Sequence, residues 1–123
     1  SASFAHSIFE KEADFTEADF GTKDKKNNAS DVLQLGKASF LSNVSFHYCN
    51  FYTKVSFENT TFKALVDFHL STFYEPEQFY WTDFANRAVF SNVTFKREVQ
   101  FLYNKVDKDT YISFERKLPH YQR

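Results

Sequence analysis

The chain has 123 residues, with 15 Lys plus Arg against 16 Asp plus Glu and a formal net charge of −1 at pH 7. That balance carries neither the basic footprint of a duplex-DNA or polybasic membrane binder nor a strongly acidic surface. The length suits one domain, no apolar run approaches the roughly 18 residues of a spanning helix, and the opening Ser-Ala-Ser-Phe-Ala-His does not read as a signal peptide. Seventeen Phe supply the core, and with two Gly and two Pro the turns fall to Asn, Ser, Asp and Lys. The single cysteine, Cys49, closes no internal disulfide, and the absence of Met reads as a chain processed or excised from a longer one.

In chain order, a first set of short repeats ends at Phe20. A polar stretch then begins at Gly21, and an exposed loop is expected over 21–31. Leu33 and Leu35 resume the pattern after a register change of one eleven-residue unit plus nine extra residues. From there Phe falls at Phe40, Phe46, Phe51, Phe57, Phe62, Phe68, Phe73, Phe79, Phe84, Phe90, Phe95 and Phe101, in steps of six and five that alternate strictly. After Phe101 the pattern decays through Val106 and Ile112 or Phe114, so 104–123 is expected to cap the domain or to begin a following one.

A fixed eleven-residue period is the mark of a solenoid, whose units bury their apolar faces only by stacking. Two residues before Phe there usually stands a small or β-branched residue (Ala38, Val44, Cys49, Val55, Thr60, Val66), and the residue between is polar (Ser39, Ser45, Asn50, Ser56, Thr61, Asp67). Alternate residues of an extended chain share a face, so Phe and its small neighbour point inward together. A helix would place successive Phe on opposing sides of the cylinder rather than on one stripe. Short bent strands are therefore expected, with residues 22 apart stacked at the strand spacing of about 4.8 Å.

The segments Glu12-Ala-Asp-Phe-Thr-Glu-Ala-Asp-Phe20, Lys54-Val-Ser-Phe-Glu-Asn-Thr-Thr-Phe62 and Leu65-Val-Asp-Phe-His-Leu-Ser-Thr-Phe73 resemble the pentapeptide-repeat proteins, in particular a Phe-centred branch that alternates five- and six-residue units. The resemblance covers about residues 2–20 and 33–101. It implies an all-β fold, a right-handed quadrilateral β-helix of about four to five coils with Phe along its axis. It also implies a bacterial cytoplasmic setting and, for some members, inhibition of a type II topoisomerase (gyrase) by an acidic, DNA-mimicking rod that dimerises end to end. The interspersed Lys and Arg of this chain depart from such an acidic surface.

Stacking at 22 residues sets Tyr80-Trp81 over Leu102-Tyr103 on one side and Glu58-Asn59 on the other, with Tyr74 leading into the strand. Tyr74, Tyr80, Trp81, Leu102 and Tyr103 form the candidate protein-binding patch, since exposed Tyr and Trp are enriched where proteins meet partners. The alternative is an aromatic ladder that only stabilises the sheet. Glu77 occupies an inward position that is otherwise small, so either the strand bulges or a carboxylate is drawn inside.

Tyr52 and Tyr74 should stack, and His47 and His69 should be neighbours above Ser91. A zinc site needs three or four ligands and that column offers no third, so neither metal nor cofactor is expected. Cys49 beside His47 suggests a nucleophile and base, but its inward position makes it a buried, inert thiol. Four sequons begin at Asn28, Asn43, Asn59 and Asn92, and three follow from the repeat grammar of Asn at a turn with Ser or Thr before Phe.

The reading favoured is a non-enzymatic repeat scaffold that mediates protein–protein interaction through its β-helix faces, with an end-to-end homodimer as one way to close its ends. The alternatives are the gyrase-binding DNA mimic and, from the sequons, a glycosylated luminal or extracellular receptor-binding module.

Overall fold

The computed structural model describes residues 3–23, 32–106 and 111–113. Most of the expected loop at 21–31, most of the expected cap at 104–123, the sequon at Asn28 and Phe114 lie outside the described residues. Every element described is a β-strand of two to four residues, because the chain turns a corner after each Phe. Every pairing is parallel.

The strands fall into four columns. One face stacks Ile8–Phe9, Ser39–Phe40, Thr61–Phe62, Asp83–Phe84 and Lys105–Val106; the next stacks Ala13–Asp14, Val44–Ser45, Val66–Asp67, Arg87–Val89 and Tyr111–Ser113. The third stacks Asp19–Phe20, Asn50–Phe51, Thr72–Phe73 and Thr94–Phe95. The fourth is divided: Val32–Gln34 pairs with Lys54–Ser56, and Glu77–Tyr80 pairs with Val99–Leu102. The result is a β-solenoid.

Register follows the repeat. Ser39 pairs with Thr61 and Thr61 with Asp83, steps of 22, whereas Ile8 pairs with Ser39, a step of 31, which places the nine extra residues between the first coil and the second. Arg87 pairs with Tyr111 and Ala88 with Ile112, steps of 24, so two residues are inserted between this coil and the next.

Down each column the Phe rings lie nearly parallel, with centroids 4.5 Å apart for Phe51 and Phe73 and 5.7 Å for Phe62 and Phe84. Across the axis they meet edge to face, as Phe57 does with Phe68 at 5.6 Å and 87°. Both arrangements suit the ring quadrupole. From Phe40 to Phe95 the ladder is fully buried, and Phe101 packs against it partly covered.

The small residues inside differ by corner. At alternate corners from Cys49 to Thr82, Cys49, Thr60, Ser71 and Thr82 send their thiol or hydroxyl to a backbone carbonyl of the preceding coil, Thr60 to Leu35 at 2.7 Å, Thr82 to Phe57 at 2.9 Å, Cys49 to Phe15 at 3.0 Å and Ser71 to Phe46, while Ala38 and Val93 extend the series as hydrocarbon. At the other corners Leu33, Val44, Val55, Val66, Ala88 and Val99 are hydrocarbon, and Glu77 is the exception. Buried polar atoms thus appear where a carbonyl receives them.

The corners of this series, hydroxyl-bearing or not, share a backbone device invisible in the period. His6, Glu17, Lys37, Tyr48, Asn59, Leu70, Trp81, Asn92 and Tyr103 all have φ between 54 and 64°, the left-handed region at the third position of a tight turn. Successive members are eleven residues apart except across the nine-residue insertion. None is β-branched, the class for which this conformation is most costly.

Phe68 touches the rings of Phe46, Phe57, Phe62, Phe73, Phe79 and Phe90, while Phe9 meets only Phe4, Phe15 and Phe40 among the described residues. Urea unfolding should show Phe68→Ala losing about 3–5 kcal/mol and Phe9→Ala distinctly less. At Leu70, with φ of 62°, Leu70→Val should cost about 1–3 kcal/mol and Leu70→Asn almost nothing.

Candidate functional site

The left-handed corners form two vertical edges of the solenoid, half a turn apart. One runs His6, Lys37, Asn59, Trp81, Tyr103, tied by N–H bonds such as Lys37 to Glu58 O at 2.9 Å, Asn59 to Tyr80 O at 3.1 Å and Trp81 to Leu102 O at 3.0 Å. The other runs Glu17, Tyr48, Leu70, Asn92, with Tyr48 to His69 O at 2.9 Å and Leu70 to Ser91 O at 3.1 Å.

On the first edge the corner geometry turns two large rings outward: Trp81 is 51% exposed and Tyr103 66%. They stack at 4.9 Å and 19°, and Tyr80 meets both edge-on, at 6.0 Å from Trp81 and 5.6 Å from Tyr103. Beneath them Tyr80 pairs with Leu102 in the ladder. Four of the five expected patch residues are thereby brought together. Tyr74 is set apart, at the far end of the fourth face, with its ring 4.7 Å from Tyr52.

Directly beside this edge the fourth face is open. Lys54–Ser56 and Glu77–Tyr80 are neighbours in the column yet carry no ladder, and among the described residues Asn59 N–H to Tyr80 O is the backbone bond that crosses between them. A cavity of about 240 Å³ occupies the seam, lined by Lys54, Val55, Ser56, Glu58, Gln78 and Tyr80.

Glu77 stands at the seam. Its strand pairs residue for residue with Val99–Leu102 and its N–H reaches Glu98 O at 2.9 Å, so there is no bulge and the carboxyl is drawn inward. The residue is 2% exposed, and neither carboxyl oxygen has a hydrogen-bond partner. Burial drives its pKa well above the ordinary carboxyl range, opposed by the Lys54 ammonium and by the adjacent Gln78 N–H, which is directed toward the carboxyl but falls short of hydrogen-bond geometry. Lys54 and Gln78 both line the cavity.

His47 and His69 lie 5.1 Å apart, and His69 Nδ1 is 2.9 Å from Ser91 O. Among the described residues no group of three or more His, Cys, Asp or Glu side chains is placed to hold a metal ion. Cys49 is fully buried and desolvation pushes its thiol up to about 11, which leaves no thiolate for nucleophilic work near neutral pH. At two sequons Asn59 and Asn92 are left-handed corners, and at a third Asn43 Oδ1 accepts the Leu65 N–H at 3.1 Å, so all three asparagines serve turns.

Sequence reasoning paired the aromatics but missed the left-handed corners and the open seam. The corner series is carried by the eleven-residue spacing, yet only Asn59 and Asn92 among its members have the residue type that signals φ > 0.

Compared with known proteins, residues 57–102 match the family model for pentapeptide repeats, in 9 copies. No curated protein and no solved structure gives a significant match.

Glu77 ties stability to pH. Its folded pKa lies above the value of about 4.3 it has when unfolded, so the native state holds the proton more tightly and stability falls as pH rises above about 4. Chemical unfolding across pH 4–8 should show this slope in the natural chain and its loss in Glu77→Gln. At pH 7, Glu77→Val, matching Val55 and Val99, should gain about 1–3 kcal/mol by removing an unsatisfied buried group.

Proposed function

We propose that this chain, which belongs to the pentapeptide-repeat family, is a non-enzymatic scaffold that binds another protein through the edge formed by Tyr80, Trp81, Leu102 and Tyr103. The observation that carries the reading is the stacked, outward pair Trp81 and Tyr103. Buried rings stabilise a solenoid wherever they stack, but rings half or more exposed leave most of their apolar surface in water and give that surface up on association. Their backbone is held by the N–H bond of Trp81 to Leu102 and by the Tyr80–Leu102 pairing, so little ordering entropy is lost on binding.

The charge pattern favours a protein partner over mimicry of a nucleic acid. Of the nine left-handed corner residues, Glu17 alone is acidic, and the aromatic edge continues through Asn59, Lys37 and His6 with no carboxylate in its column. The solenoid supplies rigidity and a repeat of attachment positions; the aromatic cluster supplies the anchor.

The test is capture of partners on immobilised chain, read by mass spectrometry, in parallel with the triple variant Tyr80→Ala, Trp81→Ala, Tyr103→Ala. The reading expects a partner retained by the natural chain and lost by the variant while circular dichroism is unchanged. Equal retention by a folded variant makes the edge structural.

A further inference from the structure

On the second and fourth faces each coil donates main-chain N–H groups to the coil that follows. Val44 donates to Leu65 O at 2.9 Å and Phe46 to Asp67 O at 2.7 Å; on the fourth face Leu35 donates to Ser56 O at 3.0 Å and Glu77 to Glu98 O at 2.9 Å. At the seam the two counterparts, Val55 to Pro76 O and Phe57 to Gln78 O, are not made. Phe57 is fully buried, and among the described residues its N–H meets no acceptor. A buried main-chain donor without a partner is rare and costly.

The strand on the far side of the same gap holds groups with the opposite need. Val55 pairs with Leu33 and Glu77 with Val99, so Val55 and Glu77 hold one column position in adjacent coils. The two carboxyl oxygens of Glu77 are buried and accept no hydrogen bond. Among charged groups the Lys54 ammonium is the one that acts on this carboxyl; the paired strand Val99–Leu102 carries no titratable side chain, and Glu58 and Glu98 are exposed. A protonated carboxyl asks little of the facing strand and leaves Val55 and Phe57 free to donate to the Pro76 and Gln78 carbonyls, as their counterparts do elsewhere. A carboxylate asks for donors, and those same N–H groups, with the Lys54 ammonium beside them, are the ones that face it.

We infer that the seam between Lys54–Ser56 and Glu77–Tyr80 is a two-state device set by the charge of Glu77, closed as a continuous ladder when the carboxyl holds its proton and open when the facing N–H groups are drawn from Pro76 and Gln78 toward the carboxylate. Burial favours the protonated form, so closure belongs to the low-pH side and rising pH opens the seam. Tyr80 ends the strand that changes its bonding and Trp81 follows it, which carries the state of the seam to the aromatic edge. The device also gives a reason for Glu77 to occupy a position where Val55 and Val99 stand in the neighbouring coils. It belongs to the scaffold itself and stands whether or not the edge binds a partner.

The experiment is amide hydrogen exchange of the intact chain by NMR between pH 4 and 9, with each rate divided by its intrinsic rate at that pH. Val55 and Phe57 are read against Val44 and Phe46, whose N–H groups are bonded, so that any change in global stability cancels. At the alkaline end Val55 and Phe57 should be protected at least about tenfold less than their counterparts. The gap should close as pH falls, in step with the titration of Glu77 followed by its side-chain carboxyl carbon in the same samples. In Glu77→Val the seam should be as protected as the second face at every pH. Glu77→Gln, isosteric and uncharged, should likewise show no pH response, which keeps the test open if either variant folds poorly. Equal protection at the alkaline end, weak protection that persists at pH 4 or in Glu77→Val, or a pH response that survives in Glu77→Gln overturns the inference.

Discussion

In-register stacking of Phe on Phe down each column is the interaction on which the structure depends. Parallel strands fix the separation of successive coils at about 4.8 Å, and a flat ring is a side chain whose thickness nearly fills that gap. The observed separations, from 4.5 Å for Phe51 over Phe73 to 5.7 Å for Phe62 over Phe84, follow from this match. Inward packing then demands a small neighbour two residues earlier, and the outward residue between them is free to be polar. Composition, period and strand length are consequences of one spacing.

The same constraint explains where the structure departs from its own rule. A carbonyl turned toward the axis must be satisfied, and the Thr, Ser and Cys hydroxyls and thiol at alternate corners do so. Glu77 is the inward polar group left without a hydrogen-bond partner. It stands beside the interruption of the fourth face and next to the strand end that turns outward at Trp81. A buried unsatisfied carboxyl, an absent ladder and an exposed aromatic cluster within a few residues of one another set this region apart from the uniform remainder of the solenoid.

Much of this was legible because a strict period converts position into contact. The spacing of 22 places Tyr80 over Leu102, Tyr52 over Tyr74 and His47 over His69, and the nine extra residues before Leu33 emerge as a step of 31 between paired strands. Two features were not legible. Left-handed corners normally announce themselves through Gly or Asn, but Tyr48, Leu70, Trp81 and Tyr103 adopt them here because the parallel ladder on either side holds the turn. The open seam was foreshadowed only by Glu77, whose inward position admitted either a bulge or a buried carboxyl; the regular pairing with Val99 decides for the second.

The most direct test of in-register stacking is disulfide trapping between the outward residues Thr72 and Thr94, which face one another across adjacent coils. In a Cys49→Ser background, Thr72→Cys with Thr94→Cys should cross-link almost fully on mild oxidation, whereas Thr72→Cys with Asp83→Cys, half a turn away, should not. Mass spectrometry of the peptides reads both yields. A cross-link that favours position 83, or equal yields from the two pairs, contradicts a stacked coil of 22 residues.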